Sequence, residues 1–151
     1  MRSFWGADGE SEDALDQGAG GGMTQLKILI VEDEPMVALA LTLAAEDLGL
    51  SVVGPIARVS EALELLGEVA IDGAVIDAQL LDRDITPVAL RLAELTVPFV
   101  VYTGTGLPAE LAETYPDAPV LMKPTPVEEV LRDLIVRIPP PAEVLMMPGP
   151  A

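Results

Sequence analysis

The sequence predicts an α/β fold, with a parallel sheet of five strands and helices on both faces. Three observations predict it. Short apolar runs alternate with stretches of helical periodicity, the pattern of repeated βα units. The runs are continuously apolar, as strands covered on both faces must be. Hydrophobic residues make up 50% of the chain and aromatics only 3%, so the core has to be built from Val, Leu, Ile and Ala.

The elements follow in order. Leu26 to Val31 is an apolar strand broken only by Lys27. Pro35 suits a first helical position, and Val37, Ala40, Leu41, Ala44 and Leu48 follow at helical spacing, with Gly49 where such a helix stops. Val52 to Ile56 is the second strand. Ser60 is placed to cap a helix burying Ala62, Leu63 and Leu66. Gly73 to Ile76 is a third strand, and Thr86-Pro87 reads as the cap and first turn of a helix through Leu95. Val97 to Tyr102 is the fourth strand, followed by a short helix over Leu107–Thr114. Val120 to Met122 is the fifth. Thr125-Pro126-Val127-Glu128 fits a capping box, and the helix behind it buries Val127, Val130, Leu131, Leu134 and Ile135 until Pro139 ends it. Crossovers between the parallel strands should be right-handed.

This places one domain at 24–138. Residues 1–23 form an acidic, Gly-rich segment expected to be disordered, with Met23 as a candidate alternative start. Residues 139–151 form a Pro-rich tail. The net charge of −17 opposes binding to nucleic acid or to anionic membranes. It suits a divalent cation or a basic partner surface, although acidity by itself is usually a solubility feature. The absence of Cys and His excludes disulfides, Cys/His zinc sites and His-based triads. Neither a signal core nor a stretch long enough to span a bilayer appears, so a cytoplasmic protein is expected.

The chemistry lies at the strand ends. The first strand runs into Glu32-Asp33-Glu34, the third into Asp77, the fourth into Thr103 and the fifth into Lys123. In an open parallel sheet all these ends share one edge, and ligands bind where the strand order reverses. If the order is 2-1-3-4-5, strands one and three are neighbours there, and Glu32, Asp33 and Asp77 would converge. Like charges so placed raise each other's pKa. Mg2+ relieves the repulsion, because it binds a few carboxylates and bridges to phosphate oxygens. Lys123, one of only two lysines, adds a counter-charge, and Thr103 adds a hydroxyl. A carboxylate surrounded by metal, lysine and hydroxyl is suited to phosphoryl transfer. Taken singly, each residue has a plainer reading. Glu32, Asp33 and Asp77 each also read as caps, Thr103-Gly104-Thr105-Gly106 as a flexible loop, and Lys123 as a surface lysine. Their conjunction at four strand ends favours the site.

With these residues in place, 25–137 resembles the receiver domain of two-component response regulators, a flavodoxin-like (βα)5 three-layer sandwich. Ile28-Leu29-Ile30-Val31-Glu32-Asp33-Glu34-Pro35 looks like the family's first strand and acidic pair. Val75-Ile76-Asp77 looks like its phosphoacceptor strand, and Thr103 and Lys123-Pro124 match its remaining signature positions. The resemblance implies that Asp77 takes phosphate from a phosphohistidine on a sensor histidine kinase or phosphotransfer protein. It implies that Asp33 and Asp77 bind Mg2+ directly, Glu32 through water, and Gln79 through its main-chain carbonyl. Thr103 and Lys123 would hold the phosphoryl oxygens, and the Lys123–Pro124 bond would be cis. One departure stands out: Val120 occupies the place, three residues before the lysine, where many receivers carry a reporting Tyr or Phe. Pro98-Phe99-Val100-Val101-Tyr102-Thr103-Gly104-Thr105-Gly106 is similar to single-domain receivers named for a Phe-Ala-Thr-Gly motif, which lack that aromatic. Val101 and Tyr102 depart from it.

The expectation is therefore a single-domain response regulator. It would be a phosphoacceptor rather than an enzyme, acting through an unidentified downstream protein, with a homodimer through the fourth-helix to fifth-helix face left open. A phosphorylation-independent scaffold is the first alternative. An Asp-nucleophile phosphatase is the second, but Gln79 stands where haloacid-dehalogenase-type enzymes carry a second Asp. A flavin-phosphate binder is disfavoured by the three carboxylates.

Overall fold

The computed structural model describes residues 25–140. The expectations for residues 1–23 and for the tail beyond Pro140 lie outside the described residues. Five strands alternate with five helices: β1 (Lys27–Val31), α1 (Pro35–Asp47), β2 (Ser51–Ile56), α2 (Val59–Leu66), β3 (Gly73–Ile76), α3 (Thr86–Glu94), β4 (Phe99–Thr103), α4 (Ala109–Thr114), β5 (Val120–Met122) and α5 (Val127–Arg137). The sheet is parallel, as the alternation predicts, and its order is β2-β1-β3-β4-β5.

Side-chain alternation divides the core into two layers. Leu29 and Val31 of β1, Ala74 and Ile76 of β3, and Phe99 and Val101 of β4 face one side. They pack there against Ala62 and Leu66 of α2, Val88 and Leu92 of α3, and Leu111 of α4. Ile28, Ile30, Val75, Val100 and Tyr102 face the other side and meet Leu41 and Ala45 of α1 and Val130, Leu131 and Leu134 of α5. Among the described residues no helix is long and apolar enough to cross a membrane.

Several local expectations are corrected. Ser60 does not cap α2. It lies inside the helix, and the carboxylate of Asp82, far along the chain, accepts the N–H of Val59 at 2.8 Å and of Ser60 at 3.1 Å. These two amides, Ser60 first, hold the Asp82 carboxyl below its ordinary value. Thr86 is likewise the first residue of α3 rather than its cap, and its N–H goes to Asp84 Oδ1 at 2.8 Å. The capping box at Thr125 does not form, because the Thr125 hydroxyl donates instead to the Met122 carbonyl at 2.6 Å and Pro126 takes the cap position. A side chain free to bond backward along a turn competes with its own helix for that bond.

Two further boundaries move. The fourth strand starts at Phe99, not Val97, because the Val97 N–H closes back onto the Leu92 carbonyl at 2.8 Å and ends the preceding turn. Leu48 is exposed rather than buried. The chain turns at Gly49, whose φ is +80°, and delivers Leu50 to the core in its place.

Edge strand β2 carries an irregularity opposite β1, where Leu29 pairs with Val53 but Val31 pairs with Ile56. Gly54 absorbs the extra residue with φ +102°, and a Cβ there would stand 2.8 Å from the Ile30 carbonyl oxygen. Side chains rarely adopt such a backbone angle. Gly54→Ala should therefore destabilise the fold by about 2 kcal/mol, read as a lower urea midpoint with an unchanged slope.

Candidate functional site

The register of the central strands builds the site. Val31 pairs with Ile76 across β1 and β3, so the next residues, Glu32 and Asp77, emerge side by side from the sheet edge. Their backbones are locked there: Asp77 N–H donates to the Val31 carbonyl at 2.8 Å, and Glu32 N–H to the Ile56 carbonyl at 2.8 Å. On the other side Lys123 N–H donates to the Thr103 carbonyl at 2.8 Å, carrying the β4–β5 ladder one step past β5. Glu32, Asp77, Thr103 and Lys123 thus leave from a hydrogen-bonded backbone.

Glu32, Asp33 and Asp77 each offer a carboxylate oxygen within 4.8 Å of the other two. Hard oxygen donors so grouped fit a divalent cation. Lys123 Nζ stands 3.1 Å from Glu32 Oε1, 3.4 Å from Asp77 Oδ2 and 3.7 Å from Glu34 Oε1. Asp77 Oδ1 accepts the Ala78 N–H at 2.7 Å, and Glu32 Oε2 accepts the Glu34 N–H at 3.2 Å. Glu32, Asp77 and Thr103 are buried.

Thr103 lies at the same edge, but its hydroxyl is engaged by the loop that follows: its oxygen accepts the Thr105 N–H at 3.1 Å and lies 3.1 Å from the Thr105 hydroxyl. The Gln79 side chain is exposed, and its backbone forms an antiparallel bridge with Asp84. The Lys123–Pro124 peptide is cis.

No protein-family model and no curated protein matches the sequence. Solved structures do. The solution structure of SdrG from Sphingomonas melonis Fr1 is 33% identical over 76% of this chain and 98% of its own, with a TM-score of 0.64. The BeF3-activated conformation of SdrG from Pseudomonas melonis Fr1 is 36% identical over the same shares, with a TM-score of 0.59. A response regulator receiver protein from Sinorhizobium medicae WSM419 is 26% identical over 75% of this chain and 94% of its own, with a TM-score of 0.65. This chain belongs to the response regulator receiver family.

In this receiver the surroundings of the carboxylates include residues that the reading of the sequence did not single out for the site. Glu34 faces Lys123. Thr105 holds Thr103, and its position two residues on in Thr103-Gly104-Thr105-Gly106 was the available signal. Tyr102 lies under Lys123, with Nζ 5.5 Å from the ring centroid, and the sequence marked it only as a departure from a motif. Val120 is half-buried against the α2–α3–α4 layer and places no aromatic ring at the position three residues before Lys123.

Burial raises the Glu32 carboxyl from its ordinary 4.5 to about 7, aided by its hydrogen bond and like charge with Asp77 and opposed by Lys123 and the Glu34 N–H. Burial alone would lower Lys123. Its hydrogen bond and charge interaction with Glu32, then those with Asp77, outweigh that and hold it above its ordinary value. The folded receiver therefore holds a proton on Glu32 that the unfolded chain has already released, and stability from this group falls as pH rises from about 4.5 through about 7. Glu32→Gln removes the titration. In metal-free urea unfolding the variant should gain stability relative to wild type between pH 5 and pH 7.5; a constant difference across that range would contradict the assignment.

Proposed function

We propose that this receiver accepts a phosphoryl group on Asp77 from a sensor histidine kinase or a phosphotransfer protein, with Mg2+, and passes the signal on by protein–protein contact. The observation that supports this reading is the position of the Asp77 carboxylate. It lies beside the Glu32 and Asp33 oxygens and 3.4 Å from the Lys123 ammonium, which also contacts Glu32 at 3.1 Å. An oxygen of Asp77 attacks phosphorus while the bond from phosphorus to the partner's histidine nitrogen breaks. The imidazole leaves with the electron pair and is protonated from solvent. Glu32, Asp33, Asp77 and the main-chain carbonyl of Gln79 would hold the metal, whose charge offsets that of the phosphoryl oxygens. Lys123 meets the same oxygens. The phosphoryl group stays on the chain until it is transferred or hydrolysed, so the role is acceptor rather than enzyme. A cytoplasmic setting goes with such partners.

Thr103 contributes its hydroxyl. To reach a phosphoryl oxygen it must exchange its Thr105 contacts for the new one, which unties the loop at Gly104–Gly106. Gly106 has φ +83°, and neither glycine has a neighbour within 4 Å of where a Cβ would lie, so the loop is free to rearrange. With Val120 in place of an aromatic, this loop and α4 carry the response. The Phe-Ala-Thr-Gly-type subgroup shares that arrangement.

Acetyl phosphate with Mg2+ should label the protein on Asp77, and labelling should fall to background in Asp77→Asn and on chelation with EDTA. Persistent labelling of Asp77→Asn would remove Asp77 from this role. Amide exchange should change across residues 104–116 on addition of beryllofluoride; an unchanged profile there would exclude the loop as the responding element.

A further inference from the structure

Tyr102 occupies a position that the chemistry above does not use. It is the residue before Thr103 and the register partner of Leu121, so it shares a sheet face with Leu121 and, two residues on, with Lys123. Its ring is 5% exposed and packs in the layer beneath α1 and α5. Two separate contacts join it to the site. The Lys123 ammonium stands over its ring, 5.5 Å from the centroid, within reach of the ring's negative face. Its hydroxyl donates to the Thr125 carbonyl at 2.6 Å, two residues beyond that lysine. The ring therefore touches the head of Lys123, and the hydroxyl fixes the turn from which Lys123 departs.

Lysine is flexible, and four rotatable bonds separate its charge from the backbone. Glu32, Glu34 and Asp77 all attract that charge from the carboxylate side. Without a surface beneath it, the ammonium can settle deeper toward Glu32 and away from the place where phosphoryl oxygens arrive. We infer that Tyr102 is a positioning residue for phosphoryl capture: its ring supports the Lys123 ammonium at the height of the Asp77 carboxylate, and its hydroxyl holds the Lys123–Thr125 turn in register. The inference rests on the phosphoacceptor reading of Asp77 and extends it to a residue outside the signature positions.

The test uses the full chain, Tyr102→Leu and Tyr102→Phe. Leucine removes ring and hydroxyl, while phenylalanine restores the ring alone. Beryllofluoride with Mg2+ serves as the probe, its affinity read by calorimetry, alongside the affinity for Mg2+ alone. Tyr102→Leu should lose about tenfold in beryllofluoride affinity, between the sizes of an exposed and a desolvated cation–π contact, with Mg2+ affinity unchanged. Tyr102→Phe should recover most of the loss. A second readout needs only wild type. Lys27 and Lys123 are the only lysines, so selective labelling gives two side-chain signals. The Lys123 Hε protons should be shifted upfield by the ring, and the shift should survive in Tyr102→Phe. Full affinity in Tyr102→Leu, a loss in Tyr102→Phe as large as in Tyr102→Leu, or an unshifted Lys123 signal in wild type would each overturn the inference. Failure of wild type to bind beryllofluoride at all would instead overturn the phosphoacceptor reading on which it rests.

Discussion

Three carboxylates held within 4.8 Å of one another repel, and the folded chain tolerates them because Lys123 stands among them. Two of the three, Glu32 and Asp77, are buried, where charges interact more strongly than in water. The ammonium 3.1 Å from Glu32 and 3.4 Å from Asp77 offsets part of that repulsion, and burial and Asp77 push the Glu32 carboxyl up, so that it ionises less readily. The remainder is an unmet demand for positive charge. That demand makes the edge receptive to a cation and, through the cation, to an anion it would otherwise repel. The sheet exists in its present register to hold this group: Val31 pairs with Ile76, and the Lys123 N–H is tied to Thr103.

Much of this was legible because strand ends are easy to read. A run of four or five buried apolar residues stops at the first charged one, and in a parallel sheet all such stops share an edge. Hence Glu32, Asp33, Asp77, Thr103 and Lys123 are named from sequence, and the structure brings them to one edge, with the three carboxylates close to one another and the lysine against Glu32 and Asp77. The strand order followed from the alternation and the family resemblance together.

What stayed hidden depends on contacts between distant residues. The α2 cap comes from Asp82, 22 positions beyond Ser60, and no local pattern announces it. Thr125 has the composition of a capping residue but bonds backward to Met122, a choice made by the turn geometry. Leu48 and Leu50 are equally apolar, and only the bend at Gly49 decides which is buried. Tyr102 reads as one more residue of an apolar strand until the β4–β5 register places it beneath Lys123.

The Asp82 carboxylate has a mechanical meaning beyond its role as a cap. The segment that leaves Asp77 ends in a bidentate clasp on the first two amides of α2, and Leu81 N–H adds a bond to the Ala57 carbonyl at 3.2 Å. The loop after Asp77 and α2 are thus linked in series, like two bars sharing a pin. A displacement of that loop must either drag the start of α2 with it or release two helix amides to solvent. The loop after Thr103 has no such clasp: the Thr105 N–H and hydroxyl meet the Thr103 hydroxyl, and Leu107 packs against the core.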